Sequence, residues 1–368
     1  YTQFLSLLRD LERDQVLPEH MRVLDIGTGP GVVPLALISF WRECRSGSLE
    51  IFSLERSEEH REAYLSLVRG YAADETCMNI HPPMSGDLVQ IAADGIPGLP
   101  SRIHLLTFQN VLAELQGLST EEKAGIVERY ASTLEDDGMV IIVEPAELRH
   151  AEGLRRLQRE LRHRGYHVYA PCSYPWGCGC GGEACWTFRE ESPISPPTLM
   201  TLLAGENEGY RYLNTDVKYA YLICSKHPRS RYPCAVPPDA RMHRLSYLKS
   251  REGRRVSVIA ARMSEDIGPP GMHIFKICDG TCRDPVYAVL SRRSVRPSHQ
   301  PLFDASYGEI LTFSGALVRR HPRHPAWNLI LDPDSHVSWV TGGNRPAGGG
   351  NERTSPDPHP HNGKRRGR

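Results

Sequence analysis

The sequence predicts an α/β fold, in which a doubly wound, mostly parallel sheet is followed by a Cys-rich loop and a small β-rich domain. Short apolar segments alternate with amphipathic ones up to about residue 170, as in βαβ units. Beyond residue 210 the segments become short, β-branched and aromatic. We therefore predict an α/β domain at 1–170, the loop at 171–192, the β-rich domain at 193–335 and a disordered tail at 336–368.

The first strand and the loop after it predict a nucleotide-type ligand site. In "MRVLDIGTGPGVV" a buried strand ends near Asp25, and Gly27, Gly29 and Gly31 follow before a helix begins at Val32. Glycines let the backbone approach a ligand closely, and the first turn of a helix offers N–H groups without intrahelical partners. The order strand, glycine loop, helix is typical of adenosine-cofactor sites.

Polar residues near the ends of later strands extend this site. Glu55 ends "LEIFSLE", where a carboxylate can accept hydrogen bonds from both hydroxyls of a ribose. Asn110 follows the strand "RIHLLTF", and Asp87 precedes "LVQIA". Because the carboxyl ends of parallel strands share one edge of the sheet, we expect these side chains in one cleft with Asp25. We expect Asp87 on the adenine side of the ligand.

The spacing of the glycines distinguishes between cofactors. Dinucleotide sites carry G-x-G-x-x-G, whereas here an acidic residue precedes G-x-G-x-G. This motif resembles the first motif of class I methyltransferases, which bind S-adenosylmethionine. The resemblance implies a Rossmann-like methyltransferase fold, with Asp25 near the methionine end of the cofactor and Gly27, Gly29 and Gly31 along its path.

A cysteine cluster predicts a metal centre. Four of the ten cysteines lie in "PCSYPWGCGCGGEAC", residues 171–185. The C-x₂-C pairs of zinc ribbons are absent, and the glycines suit a loop that wraps a cluster. We predict Cys172, Cys178 and Cys185 as ligands of a 4Fe–4S cluster, which takes loosely spaced thiolates. A structural zinc site and unliganded or oxidised cysteines are the alternatives, and either metal implies a reducing compartment.

The charge distribution divides the chain. Residues 1–150 hold 12 Lys and Arg against 24 Asp and Glu, and residues 151–368 hold 32 against 20. A basic second half predicts a polyanionic partner. We expect its strands to form a small, OB-like barrel or sandwich that binds RNA by shape, charge and stacking. The candidate residues are Arg229, Arg231, Arg241, Arg244, Arg251, Arg254, Arg255, Arg292, Arg293, Arg296, Arg319, Arg320, Tyr212, Tyr219, Tyr221 and Tyr247.

Several phrases together resemble one family. "LDIGTGPG", "FQNVLAEL", "VIIVEPA", "HVYAPC" and the cysteine cluster occur in the order and spacing of the methyltransferase-like assembly factors of the small ribosomal subunit, found in mitochondria and prokaryotes. The resemblance covers residues 1–190 well and 210–320 weakly. It implies an S-adenosylmethionine cleft, an iron–sulfur cluster and contact with ribosomal RNA. It also implies a monomer off the ribosome, in the cytoplasm of a prokaryote or in the mitochondrial matrix.

The resemblance also bears on the fourth metal ligand. The family places a cysteine before Asp-Gly at the end of a strand, which implies Cys278 here; Cys224 and Cys282 are the alternatives and Cys180 is a spare thiol. Two family patterns are missing. Ser173-Tyr174-Pro175 replaces a Pro-His pair after the first cysteine, and Cys185-Trp186-Thr187-Phe188 replaces Cys-His-Phe.

Two functions fit these features. The first is an rRNA-binding factor of small-subunit assembly that carries S-adenosylmethionine and an iron–sulfur cluster, with or without methyl transfer. The second is a small-molecule methyltransferase with a structural zinc site.

Catalytic residues stay unassigned, because no Asn/Asp-Pro-Pro-aromatic motif occurs and a metal-bound Cys172 is no free nucleophile. Glu114 and Glu144 are expected to face the cleft. No apolar run reaches the ~20 residues that span a bilayer, so we expect no membrane partner.

Overall fold

The computed structural model describes residues 1–44, 47–72, 76–94, 98–177, 179–180, 185–191, 194, 217–237 and 239–340. Its helices are α1 (Thr2–Arg13), α2 (Val32–Cys44), α3 (Glu58–Ala72), α4 (Leu88–Asp94), α5 (Thr120–Ala131), α6 (Leu148–His163) and α7 (Gln300–Asp304), with 3₁₀ turns at Leu245–Arg251, Arg292–Ser294 and Pro297–His299. No helix within these ranges is long and apolar enough to cross a membrane.

The strands form two sheets. They are β1 (His20–Ile26), β2 (Ser48–Glu55), β3 (Met78–Ile80), β4 (Met84–Ser85), β5 (Ile103–Gln109), β6 (Leu134–Pro145), β7 (His167–Ala170), β8 (Arg189–Glu190), β9 (Lys218–Ser225), β10 (Arg255–Arg262), β11 (Met272–Cys278), β12 (Val286–Ser291), β13 (Ile310–Arg320), β14 (Trp327–Leu331) and β15 (His336–Trp339).

The first sheet has the order β3-β2-β1-β5-β6-β9-β7. Strands β2, β1, β5 and β6 are parallel neighbours, and β9 is antiparallel to both β6 and β7. This is the class I methyltransferase version of the Rossmann-like fold, with a mixed sheet. The strand order reverses between β1 and β5, so a ligand cleft is expected beyond the carboxyl ends of those strands.

Strand β9 differs from the prediction, which assigned "KYAYLIC" to the β-rich second half. It is instead an inner strand of the first sheet, and only Lys218 of its eight residues is exposed. Tyr219 and Tyr221 face one apolar cluster, and Ala220 and Leu222 face another on the opposite side of the sheet. A strand buried on both faces has to lie inside a sheet that is covered on both sides.

The second sheet closes into a barrel. Its order is β10-β11-β12-β14-β13, with β10 pairing back to β13, and β12 and β14 are parallel. Strand β15 adds to β13, although it lies in the segment that we predicted as a tail from residue 336. The reason is that Val337 pairs with Phe313 and is 1% exposed, so the chain still buries apolar surface there. Residues 341–368 lie outside the described residues.

The barrel and the first sheet share apolar core. Tyr169 and Ala170 of β7 belong to the same cluster as Ile259, Tyr307 and Ile310 of the barrel. Next to this contact, the Thr187 hydroxyl donates a hydrogen bond to the Met263 carbonyl oxygen at 2.9 Å. The junction between the two sheets is therefore a packed interface.

Candidate functional site

A polar cleft lies at the carboxyl edge of the first sheet. The loop after β1 turns across the end of β2, because the N–H groups of Gly27 and Thr28 donate to the Leu54 carbonyl at 2.8 and 3.1 Å. The cleft has about 450 Å³ of space, within the range of about 300–1,000 Å³ typical of small-molecule sites. Six of the seven residues predicted to bind the cofactor line it: Asp25, Gly27, Gly29, Glu55, Asp87 and Asn110.

Asp25 is fixed at the base of the cleft. The side chain is buried, and its Oδ1 accepts a hydrogen bond from the Thr107 hydroxyl at 2.6 Å. Its Oδ2 makes no well-formed hydrogen bond among the described residues, and neither does Oε1 of Gln109, which also lines the cleft. Burial raises the pKa of Asp25 to about 6, although the nearby hydroxyls of Thr107 and Thr28 act to lower it. Both buried oxygens can therefore accept a hydrogen bond from a ligand, with the Thr28 hydroxyl as a competing donor to Asp25.

Glu55 is oriented by the backbone of its surroundings. Its Oε2 accepts the Gly29 N–H at 2.9 Å, and its Oε1 accepts the Ser57 N–H at 2.8 Å. Each carboxylate oxygen has two lone pairs, so each can still accept a ligand hydroxyl. The geometry at the end of β2 thus suits a ribose diol.

Asp87 lies across the cleft at the start of α4. Its Oδ1 accepts the N–H groups of Val89 and Gln90 at 2.9 and 3.3 Å, and Arg56 donates to Oδ2 at 3.2 Å. Burial acts to raise the pKa of Asp87, but these hydrogen bonds outweigh it and the pKa is lowered. The carboxylate therefore stays ionised and available on the cleft wall.

Two predicted residues lie elsewhere. Gly31 does not line the cleft; it has φ +97°, and a Cβ there would lie 2.5 Å from the Val68 side chain, so it allows α2 to pack on α3. Glu114 lines the cleft as expected, but Glu144 does not and lines a separate cavity beside α5 and α6. The expectation that Glu144 faces the cleft was wrong, because β6 lies one strand beyond the reversal of strand order.

A second cavity lies at the junction of the two sheets and is lined by thiols. Cys172 follows β7, Cys185 precedes β8 and Cys278 ends β11, and all three side chains line it together with Cys180. Cys178 lies outside the described residues. Within the described ranges, no group of three or more His, Cys, Asp or Glu side chains is arranged so that it could hold a metal ion.

Three cationic side chains, those of Arg155, Arg159 and Lys276, line the cavity beside the thiols. Arg155 of α6 is 2% exposed; its Nη1 lies 3.7 Å from Cys172 Sγ, and its Nη2 donates to the Tyr221 carbonyl at 2.7 Å. Lys276 of β11 also lines the cavity. Burial raises the pKa of the Cys278 thiol, and the neighbouring Cys185 and Cys172 raise it further. Arg155 is not among the residues predicted from the sequence; its signal is a charged residue among the leucines of the buried face of α6.

The alternative fourth ligands occupy different places. Cys224 is buried in the apolar cluster that contains Leu154 and Tyr166, where burial raises its pKa to about 12, and it does not line the thiol cavity. Cys282 lines an adjoining space with Cys180, Cys185 and Cys278. Of the three candidates, Cys278 is the one that shares the cavity with Cys172.

Several basic and aromatic candidates for RNA contact are buried. Arg231 pairs with Asp10 at 2.6 Å and with Asp14 at 2.8 Å, and its side chain is 6% exposed. Tyr219 and Tyr221 lie in the core. These three expectations were wrong, because the residues lie inside the first sheet or against it, and Tyr212 lies outside the described residues. Tyr247, by contrast, is 57% exposed.

The sequence was also compared with known families and structures. The model of the family described as "Mitochondrial small ribosomal subunit Rsm22" matches residues 4–248. The chain belongs to the Rsm22 family. In this Rsm22-family chain a second model, described as "Domain of unknown function (DUF8157) C-terminal domain", matches residues 246–340. No curated protein matches the sequence significantly.

Solved structures similar to this Rsm22-family chain are methyltransferases. Magnesium protoporphyrin IX methyltransferase from Synechocystis PCC 6803 has a TM-score of 0.37 and 13% identity, over 61% of this chain and 82% of that one. A S-adenosylmethionine-dependent methyltransferase from Methanosarcina mazei has a TM-score of 0.35 and 11% identity, over 58% and 96%. TrmN from Thermus thermophilus has a TM-score of 0.34 and 14% identity, over 60% and 48%. Similarity at this level carries no functional argument.

Proposed function

We propose that this chain is an S-adenosylmethionine-binding, iron–sulfur-containing factor that acts on small-subunit ribosomal RNA during ribosome assembly. Family membership supports the link to the small subunit and, of the two expected locations, the mitochondrial one. The observation that carries the proposal is the convergence of Cys172, Cys185 and Cys278, from separate segments of both sheets, on one cavity. Methyl transfer by this factor would additionally require an RNA group that accepts the methyl group.

The residues of the cleft fit S-adenosylmethionine. The Oδ2 acceptor of Asp25 suits the cationic amino-acid end, the oriented carboxylate of Glu55 suits the ribose diol, and Asp87 suits the amino group of adenine. Gly27 and Gly29 have no side chains, so a ligand in the cleft can approach the backbone of this loop closely. When bound, the cofactor supplies an activated methyl group, and the chain's residues supply binding and orientation.

The residues of the thiol cavity fit a cluster in ligand type and in charge. Cys172, Cys185 and Cys278 would be ligands, with Cys178 as the fourth, and the cations of Arg155 and Lys276 offset the negative charge of thiolates. The enclosed space is about 20 Å³, room for roughly one water molecule, so the described walls would have to move apart to admit a cluster. When bound, it would link Cys172 and Cys185 to Cys278 of β11.

The barrel offers a surface for RNA. Its strand order, 1-2-3-5-4-1 with the third and fifth strands parallel, is that of an OB-like barrel, which binds oligonucleotides with its second and third strands and with its 1–2 and 4–5 loops. The 4–5 loop here, residues 321–326, follows Arg319 and Arg320. The Arg319 guanidinium lies near Gly253, next to exposed Arg254, and Tyr247 offers an exposed ring for stacking.

The test is anaerobic purification of the full chain with analysis of iron, sulfide and zinc, followed by crosslinking to RNA in cell extract and sequencing of the bound RNA. We expect a brown protein with iron and sulfide, and enrichment of small-subunit rRNA. Zinc without iron, together with no enriched RNA, would instead support a small-molecule methyltransferase with a structural zinc site.

A charge-matched pair of variants tests the RNA surface. Arg254→Ala/Arg319→Ala removes two arginines of the barrel, and Arg69→Ala/Arg129→Ala removes two exposed arginines of α3 and α5. Each lost phosphate contact lowers the slope of log affinity against log salt by about 0.7–0.9. We expect this loss for the barrel pair only; equal slopes for both pairs would refute the barrel as the RNA surface.

A further inference from the structure

A third cavity lies behind the wall of the cleft. It has about 190 Å³ of space and lies between α5, α6 and the segment 112–118. The segment after β5 separates the two spaces, because Glu114 and Leu115 line the cleft while Ala113 and Gln116 line the third cavity. No residue lines both. The third cavity is smaller than a pocket that encloses a whole ligand, about 300–1,000 Å³, so it suits a ligand that extends into solvent.

Three cations line this cavity without a carboxylate ion pair among the described residues: Lys123, Arg149 and Arg156. Lys123 Nζ donates to the Leu112 carbonyl at 2.8 Å, and Arg149 and Arg156 are exposed at the rim. Arg149 lies in the first turn of α6, which has no acidic residue; the N-cap residue, Glu147, makes no capping hydrogen bond and lies 3.5 Å from His150 Nδ1. Cations at a helix N-terminus oppose the helix dipole, so the arrangement favours a bound anion.

A buried carboxyl group at the floor of the cavity adds a hydrogen-bond acceptor to the three cations. Glu144 is 3% exposed, and its Oε1 accepts the Ala113 N–H at 3.1 Å. Its Oε2 has no partner among the described residues. Burial raises the pKa of Glu144 to about 7, despite nearby Lys123. An unpaired buried acceptor costs free energy unless a donor reaches it, and a phosphate alone offers none.

We propose that this third cavity binds one nucleotide unit of an RNA. Lys123, Arg149 and Arg156 hold its phosphate, and Glu144 accepts a hydrogen bond from an amino or imino group of its base. Carboxylates pair with exocyclic amino groups of bases, and arginine pairs with phosphate through two parallel hydrogen bonds. The inference rests on the RNA-binding part of the proposed function, but it requires neither S-adenosylmethionine nor a metal, so a failure of either leaves it intact.

The test is titration of the full chain with CMP, GMP, AMP, UMP and inorganic phosphate, followed by calorimetry or NMR. We expect the nucleoside monophosphates to bind more tightly than inorganic phosphate. Arg156→Ala should weaken their binding about 10- to 100-fold, the loss that follows from one charge-assisted hydrogen bond. Arg69→Ala, an exposed arginine of α3, should leave it unchanged. Equal losses in the two variants would overturn the proposal.

A second variant tests the base contact. Glu144→Gln keeps the shape and an acceptor for the Ala113 N–H but loses the carboxylate. We expect weaker binding of the nucleoside monophosphates and no weakening of inorganic phosphate, because removing a negative charge near three cations does not disfavour an anion. If inorganic phosphate binds the native chain as tightly as the nucleotides do, the site binds anions only and the nucleotide assignment is wrong.

Discussion

The polar cleft and the thiol cavity are built in different ways. The cleft depends on short-range order: the loop after β1 is tied to the end of β2, and Glu55 is held by the N–H groups of Gly29 and Ser57. The thiol cavity depends on long-range order, because Cys172 and Cys278 come from different sheets and meet only at the packed junction. A change at the junction should therefore affect the thiol cavity and spare the cleft.

The largest effect is expected for Cys278→Ser. It removes the one predicted ligand that comes from the barrel, so we expect loss of bound iron and of the brown colour. Because metal binding contributes directly to folding, the free energy of unfolding should fall by about 5 kcal/mol or more. Iron analysis and denaturant unfolding under anaerobic conditions measure both. Binding of S-adenosylmethionine should change little, since the cleft shares no residue with the thiol cavity.

Two cysteine variants serve as controls for this experiment. Cys77 is exposed and remote from the thiol cavity, so Cys77→Ser should retain iron and stability. Cys180→Ser tests the prediction that Cys180 is a spare thiol, although its side chain lines the cavity. Retention of iron in Cys278→Ser, or its loss in Cys180→Ser, would show that the ligand set is different from the one proposed.

The next effect concerns the ion-pair network that anchors the segment after Cys185. Asp10 of α1 accepts from Arg189 of β8 and from Arg231, and its side chain is 7% exposed. Burial acts to raise the pKa of Asp10, but Arg231 and Arg189 outweigh it and the pKa is lowered. Asp10→Asn removes the carboxylate that both arginines share and leaves each with one other partner, Glu191 for Arg189 and Asp14 for Arg231. We expect a loss of about 1.5–3 kcal/mol of unfolding free energy, the contribution of a hydrogen bond to a charged group. Iron retention should fall, and S-adenosylmethionine binding should not.

The pH dependence of that loss has a defined sign. The pKa of Asp10 is lower in the folded chain than in the unfolded chain, so its contribution is present above about pH 4 and is lost as the pH falls. The stability difference between the native chain and Asp10→Asn should thus narrow below pH 4. Glu43→Gln, which removes an exposed ion pair with Arg9, should cost no more than about 1 kcal/mol at any pH.

The sequence was informative where the determinants are local. Glycines at fixed spacing and an acidic residue at the end of a strand predict the cleft, because backbone geometry alone brings Asp25 and Glu55 together. The capping box at Ser119 and Glu122, which starts α5, is local in the same sense, because its two residues lie three positions apart. Gly31 follows the same pattern, yet its side-chain hydrogen faces Val68 of α3, and spacing cannot distinguish contact with a ligand from contact with a helix.

The sequence did not predict contacts between residues that lie far apart in the chain. The sequence pattern of a strand that is buried on both faces, such as β9, indicates this burial but does not indicate which neighbouring strands it pairs with. The joining of Cys278 to the cysteine loop was implied only by resemblance to a family. The burial of Arg231 follows from Asp10 and Asp14, more than 200 residues earlier in the chain. Such contacts depend on packing, and no local pattern encodes them.

Asp25→Asn should separate stability from binding in the cleft. The pKa of Asp25 is raised by burial to about 6, above its unfolded value of about 3.9. Folding therefore becomes less favourable as the pH rises from about 4 to 6, by a total of about 2–3 kcal/mol. The asparagine variant should be more stable than the native chain at pH 7 and equal to it below pH 4, as measured by denaturant unfolding.

The same variant should bind S-adenosylmethionine about tenfold more weakly or worse at pH 7, because a charged acceptor is lost. In the native chain the affinity should fall as the pH drops through 6, where Asp25 becomes protonated, and in Asp25→Asn it should not. Calorimetry at pH 5 and pH 7.5 measures both. A pH-independent affinity in the native chain would argue against contact between Asp25 and the cationic end of the cofactor.

The smallest effect on the rest of the chain is expected for Glu55→Gln. The amide keeps one acceptor oxygen, so one of the two N–H groups of Gly29 and Ser57 loses its partner and one ribose hydroxyl loses its acceptor. A hydrogen bond to a carboxylate contributes about 1.5–3 kcal/mol, which corresponds to roughly a 10- to 100-fold loss of S-adenosylmethionine affinity. Glu58→Gln, at an exposed position in the first turn of α3, is the matched control and should bind normally. Because the cleft is organised by its own backbone, iron content should be equal in both variants. If Glu55→Gln also loses iron, the cleft and the thiol cavity form one cooperative unit and are not built independently.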